Sequence, residues 1–256
     1  MRVAAIGRPF FAATLIGVGL LGLIKGDFTA IWDPVPKVIP VREGLVYLCA
    51  LISVACGLGL FWQRTAILAA RVLLAYLLIW LLLLRLPAVF ISFEIGFWWS
   101  ACKTAALVAG AWVLYVWFAT DRDQQRFGFA TGAMGLRGAS MLYGLALIPF
   151  GIAHFLYLDA TAALVPQWLP APAAWAYFTG GAYIAAGLAI VVGVRARLAV
   201  TLSALETGMI SLLVWVPRVV AGNLNAFQWG EVVVSVALTA AAWVVVDSYR
   251  GVRAVA

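Results

Sequence analysis

His154, the only histidine among 256 residues, lies in the run PFGIAHFLYL (149–158), and the next charge, Asp159, comes five positions later. An imidazole titrates at about pH 6.5. In such a run it can exchange protons, bind a metal or haem, or simply hydrogen-bond inside a helix. A zinc or iron site needs three or four converging ligands. His154, Glu231 and Asp159 are too few, so no metal site is expected. A haem held by two histidines would need a second chain. No nucleotide-binding glycine motif or serine elbow occurs in a suitable context. Cys49, Cys56 and Cys102 form no C-x-x-C. Cys49 and Cys56 share a helix face but lie about 10 Å apart along it, too far for a disulfide. They read as small packing residues.

The remaining chemistry is proton handling by isolated charges in apolar surroundings. A charge near the bilayer centre costs about 2.5–3.5 kcal/mol or more, so it needs a partner or a function. At 1.5 Å of rise per residue, Lys25 and His154 fall in the outer third of their helices, and Glu231 at a similar depth. Arg85 and Glu94 flank the outer turn of the first half. Lys103 and Glu206 fall near the midplane. Two pairs are expected: His154–Glu231 as an outer polar site, and Lys103–Glu206 as a midplane ion pair. Either could equally serve only to fix helix register. For Lys25 and Arg85, snorkelling to the outer interface is the plain reading, and for Arg71 snorkelling inward.

These residues sit in a membrane protein. The chain is 66% hydrophobic and 11% charged, with mean hydropathy +1.06. A soluble domain is nearer 45–50% apolar and about 25% charged. The net charge of +7 is explained by basic loops. No basic run with interleaved aromatics points to nucleic acid. Apolar segments of about 20 residues run over 9–27, 44–63, 66–87, 95–118, 138–158, 173–194, 197–217 and 227–247, each matching a ~30 Å core. The N-terminal segment resembles a signal peptide but lacks an A-x-A-like site and reads as a retained first helix.

Orientation follows from lysine and arginine. Arg2, Arg8, Arg64, Arg71, Arg122, Arg126, Arg137, Arg195, Arg197, Arg250 and Arg253 fall at one end. Lys25, Lys37, Arg42, Arg85, Lys103 and Arg218 fall at the other. Both termini are therefore expected in the cytoplasm, and the location expected is a bacterial plasma (inner) membrane. Trp32, Trp98, Trp99, Trp168, Trp175 and Trp229 fall near the outer interface as an aromatic belt. Gly22 and Gly26, spaced G-x-x-x-G, suggest close helix packing.

The halves repeat. GLIK (22–25) aligns with GIAH (151–154) at an offset of 129, and PKVIP (36–40) with PQWLP (166–170) at 130. The offset of 130 also pairs Tyr47 with Tyr177, Gly57 with Gly187, Pro87 with Pro217, Phe97 with Phe227 and Trp99 with Trp229. The fold class expected is all-α integral membrane, with eight transmembrane helices as two parallel-oriented four-helix repeats. The first repeat spans 1–119, a cytoplasmic linker 120–136 and the second repeat 137–256. The Pro-bracketed loops at 33–40 and 165–172 could dip back and roof a pocket beside Lys25 and His154.

Each half resembles the DoxX family of small four-helix membrane proteins. The resemblance rests on G-x-x-K/H, the P-x-x-hydrophobic-P loop, and a second helix opening with an aromatic and small residues. The second-half versions are WAYFTGGAYIAAGLAI (175–190) and RARLA (195–199). The first-half versions are LVYLCALISVACGLGL (45–60) and RTAILAA (64–70). The resemblance implies a membrane subunit of quinone-linked sulfur oxidation or of an oxidative-stress redox complex, working with a partner protein. It also implies a glutamate in the second helix, but the matching positions hold Ser53 and Tyr183.

Quinone is the cofactor such a chain could take, since its site needs only an apolar slot and groups that hydrogen-bond carbonyls and exchange protons. His154 and Glu231 are assigned the catalytic role. Lys25, Tyr157, Trp168, Tyr177, Lys103 and Glu206 are assigned to binding, with Trp175 beside the slot. A non-catalytic bundle that binds lipid or a small molecule, or scaffolds a complex, is the alternative. A transporter is the third.

Overall fold

The structure, a computed structural model, describes residues 6–32, 35, 39–92, 95–222 and 224–251. Eight of its helices are long and apolar enough to cross a membrane, and no strand occurs among the described residues. The chain is a multi-pass membrane protein.

The first span is α1 (Gly7–Lys25) and the second α2 (Arg42–Phe61). The third runs through α3 (Gln63–Ile79), a π-helical turn (Trp80–Arg85) and α4 (Leu86–Ser92). The fourth is α5 (Ile95–Phe118). A short α6 (Asp121–Arg126) and a 3-10 turn (Gly128–Ala130) lead to α7 (Gly132–Leu156). After the small α8 (Leu158–Ala162) come α9 (Pro172–Val192) and α10 (Ala196–Ile210). A second π-helical turn (Ser211–Trp215) carries α10 into α11 (Val216–Ala221), and α12 (Ala226–Gly251) closes the bundle. The third and seventh spans, Gln63–Ile91 and Ala196–Ala221, run past the expected ends at 87 and 217. The π turns lie just before Pro87 and Pro217, and the helix resumes with those prolines in its first turn, where a missing N–H costs little.

The first four spans pack in chain order, and so do the last four. Helix α1 lies on α2, α2 on α3 and α3 on α5; α7 lies on α9, α9 on α10 and α10 on α12. The halves meet where α5 packs on α7 and α12, and α1 on α12. Span Gly96–Phe118 is the most enclosed, with 72% of its apolar window buried against 33% for Pro172–Val192. Large apolar side chains such as Leu51, Leu83, Leu202 and Leu212 face outward, as a lipid-facing surface requires.

Small residues set the closest approaches. A Cβ on Gly57 would lie 2.7 Å from the Ala12 carbonyl oxygen, and one on Gly187 2.6 Å from that of Gly144. Gly22 packs near Ala50 in this way. Gly26 does not share that role: it is the left-handed C-cap of α1 (φ 62), its N–H bonded to the Gly22 carbonyl at 3.0 Å.

At the linker end, Asp247 of α12 accepts the Gly7 N–H at 2.7 Å and Arg250 at 3.2 Å, seating a carboxylate on the N-terminus of α1. Arg71 reaches that end too and meets Asp123 at 2.5 Å and the Thr120 hydroxyl at 3.2 Å. Thr120 and Asp123 form a capping box for α6. Arg85 does not snorkel. It is 3% exposed, its guanidinium donating to the Trp32 carbonyl and lying over the Trp80 ring. Those partners sit inside the bundle, so the interface offers nothing better. Lys25 is exposed at the end of α1. All three cysteines are buried and free. Lys37, Glu94 and most of loop 33–40 lie outside the described residues.

Candidate functional site

A cavity of about 790 Å³ opens between α5, α7, α10 and α12 at the end that carries the α7–α9 loop. Small-molecule pockets run to roughly 300–1,000 Å³. Its walls are mostly apolar. Along α12 the lining runs from Ala226 to Leu238, a rise of ~18 Å of helix. Tyr143 and Leu147 form its deep end on α7. Ala160, Thr161 and Leu164 of the α7–α9 loop form part of its wall. Arg218 holds that loop by donating to the carbonyls of Ala163 at 3.1 Å and Leu164 at 3.2 Å.

Its main charge pair is Lys103 of α5 with Glu231 of α12, Nζ to Oε1 at 3.1 Å. Both line the cavity and are largely buried, with 15% and 22% of their side chains exposed. The Lys103 ammonium also sits 5.7 Å from the centre of the Trp99 ring. This replaces both expected pairings. Lys103 does not pair with Glu206, because α5 packs on α12, which brings Glu231 to its ammonium. His154 does not pair with Glu231. Its Nδ1 bonds the Phe150 carbonyl at 2.7 Å, one turn back, although both residues line the same cavity. The close α7–α9 approach fixes the imidazole: a Cβ on Gly180 would lie 2.8 Å from the His154 Cβ.

Aromatic rings form a continuous wall. Trp99 meets Phe150 edge-on at 6.1 Å and Tyr157 at 6.2 Å. Tyr183 lies 6.5 Å from Phe150 and 5.5 Å from His154. Beyond them α10 and the π turn that follows it present three hydroxyls at helical spacing. Ser203 meets the Tyr143 hydroxyl at 3.2 Å, Thr207 that of Tyr183 at 3.1 Å, and Ser211 that of Thr239 at 3.1 Å. Trp215 Nε1 donates to Ser235 at 2.9 Å. Glu206, on α10, has its Oε1 buried without a hydrogen-bond partner among the described residues.

Of the residues expected from sequence, His154, Glu231, Lys103 and Tyr157 converge on the cavity. Glu206 does not line it. Lys25, Trp168 and Tyr177 are exposed and line no part of it; Tyr177 stacks on Phe155 at 5.7 Å. Trp99, Tyr143, Phe150 and Trp215 were not singled out for the site. Their spacing is that of ordinary membrane helices, and only Tyr183, standing where the DoxX pattern has glutamate, carried a signal. Among the described residues no three histidine, cysteine, aspartate or glutamate side chains are grouped to hold a metal. Comparison with protein-family models, curated proteins and solved structures finds no match.

Proposed function

We propose that the protein binds a quinone-like amphiphile in this cavity and acts as a membrane subunit of a quinone-linked redox system. The observation that carries the reading is one apolar cavity whose wall combines a Lys–Glu pair, an imidazole and a row of aromatic rings. A quinone head offers two carbonyl acceptors. The Lys103 ammonium can donate to one of them. His154, whose Nδ1–H is taken by the Phe150 carbonyl, can donate from Nε2 in its protonated form, and the aromatic wall can stack on the ring. Glu231 balances the Lys103 charge, which would otherwise be costly in lipid.

In the redox form, two thiosulfates join through a new sulfur–sulfur bond to give tetrathionate and release two electrons. With two protons these convert the quinone to the quinol. His154 and Glu231 are the cavity-wall groups that would exchange those protons, and thiosulfate would deliver the electrons directly or through a partner protein.

The chain reads as a tandem duplication of a DoxX-like unit. The shared helix packing order supports this, as do π turns ending at Arg85 and Trp215, 130 residues apart. So do Arg85 and Arg218, which hold carbonyls of the loop after the first helix of each half. The arginine excess at the linker end supports cytoplasmic termini, in a bacterial inner membrane.

Mass spectrometry of small molecules retained by gently extracted protein tests the reading. A co-purifying quinone, lost in His154→Ala with folding kept, supports it. Protein that carries none, binds none and reduces none with thiosulfate, alone or with partners, sinks it. The plain ligand-binding alternative predicts a retained lipid instead, with His154→Gln and Glu231→Gln tolerated.

A further inference from the structure

The counterpart of the cavity in the first half is almost closed. A void of about 10 Å³ there is lined by Thr14, Val18, Ile31 and Leu77, among others. At offsets of 129 and 130 these positions correspond to Tyr143, Leu147, Ala160 and Thr207, all of which line the large cavity. Two voids of such different size thus occupy matching places.

Aromatic side chains make the difference. Trp32 and Trp80 lie 5.2 Å apart, Tyr76 packs on Trp32 at 5.0 Å, and Phe28 on Trp80 at 5.8 Å. The matching second-half positions for the two tryptophans hold Thr161 and Ile210, both of which line the open cavity. Each place also has a cation beside a tryptophan, supplied from non-equivalent positions. Arg85 lies 5.4 Å from the Trp80 ring centre, as Lys103 lies 5.7 Å from that of Trp99. Polarity differs in the same sense. The hydroxyls of Ser203, Thr207 and Ser211 correspond to buried Leu73, Leu77 and Leu81.

We propose that the first half carries a second copy of the binding site, filled by the chain's own Trp32 and Trp80 rings, and that the open copy takes a ligand with a planar aromatic or quinonoid ring beside a cation. The proposal rests on the duplicated-bundle reading above. A self-filled site keeps the first half rigid and leaves one ligand per chain. The filling side chains show what shape the fold accommodates at that place: two flat rings 5.2 Å apart and tilted 34° to one another, with a positive charge over one face.

Menadione, a tail-less naphthoquinone, is the probe, with binding measured by calorimetry on full-length protein in nanodiscs. Wild type is expected to bind one equivalent. Trp32→Thr with Trp80→Ile, which copies the open half, is expected to bind two. Thr161→Trp with Ile210→Trp, which copies the filled half, is expected to bind none. Indole is the second probe, read by thermal unfolding: it should raise the Tm of the opened variant and leave wild type unchanged. If the opened variant folds, binds one equivalent and gains nothing from indole, the filled copy does not exist, while the reading of the open cavity stands. If wild type binds no menadione, that reading fails, and indole stabilisation of the opened variant still decides the filled copy. Should the double opening not fold, Trp80→Ile alone with indole gives the same decision.

Discussion

Lys103 and Glu231 meet across the seam between α5 and α12, Nζ to Oε1 at 3.1 Å, from positions 128 residues apart in sequence. The pair ties the fourth span to the eighth and places its charges in the wall of the cavity.

Removing one partner leaves the other charge largely buried and uncompensated, which costs about 3–5 kcal/mol in buried pairs. Lys103→Ala and Glu231→Ala are each expected to lower stability by an amount of that order in a denaturant titration in detergent. The exchange Lys103→Glu with Glu231→Lys should recover part of the loss. A Lys103→Ala protein as stable as wild type would show that the pair does not hold the seam.

Gly180 gives a more local handle on His154. A methyl at that position would crowd the His154 Cβ at 2.8 Å, and overpacking costs about 1–3 kcal/mol. Gly180→Ala is expected to destabilise by that amount and to weaken ligand binding through displacement of the imidazole. His154→Gln should retain the fold and lower affinity about tenfold, the equivalent of ~1.4 kcal/mol. Equal affinity in both variants and wild type would remove His154 from the site.

Asp247 receives the Gly7 N–H at 2.7 Å while its side chain is 1% exposed. Asp247→Ala leaves that donor and the start of α1 without their acceptor, at a cost of about 1–3 kcal/mol. Hydrogen exchange in the first turn of α1 should rise in the variant, and unchanged protection there would contradict the role.

The linker end should respond to acid. Burial opposes ionisation of Asp123, but the Arg71 guanidinium and the Thr120 hydroxyl and N–H outweigh it and hold the carboxyl well below the usual carboxylate range. The folded value lies below that of an unfolded aspartate, about 3.9. The contribution is therefore fully present above pH ~4 and is lost as the pH falls through the folded value. Protection of residues 120–131 should decline on acidification in wild type. In Asp123→Asn it should be lower at neutral pH and flat. A wild-type profile that matches the variant would rule the pair out as its source.

Ala171 precedes α9 in the left-handed region with φ 53, a conformation that costs an L-residue with a Cβ about 1–2 kcal/mol. Ala171→Gly relieves that crowding while adding chain entropy to the unfolded state. A net gain of about 0.5–1 kcal/mol in thermal stability is expected, and a loss would mean that the turn relaxes some other way.

The spans were legible because length and hydropathy alone dictate them in lipid. All eight expected segments overlap the helices found. The charge partners were not legible for a geometric reason. Position along a helix gives depth, and depth alone put Lys103 and Glu206 together. The direction a side chain points around its helix depends on how the spans are packed, and that packing sets Glu231 beside Lys103. Arg85 misled for a related reason. Its neighbours in sequence are leucines, and the Trp32 carbonyl that holds it comes from a loop 53 residues away. The cavity was half visible: His154, Glu231 and Tyr157 stand out as polar groups in apolar runs, whereas Trp99 and Phe150 look like any lipid-facing aromatics until α5 and α7 are brought together. Gly26 fitted a helix-contact spacing, but the chain turns at it.

The cavity draws Trp99, Ser100 and Lys103 from one side of the linker and His154, Tyr183 and Glu231 from the other. Neither stretch can form it unaided. Were the two made as separate polypeptides, each would have to find its counterpart among identical copies of itself, and most encounters would join the wrong pair. Carrying both on one chain sets their ratio at synthesis and makes every finished molecule a matched pair. It also frees the two sides to diverge, since a change on one need only suit the single neighbour it always meets.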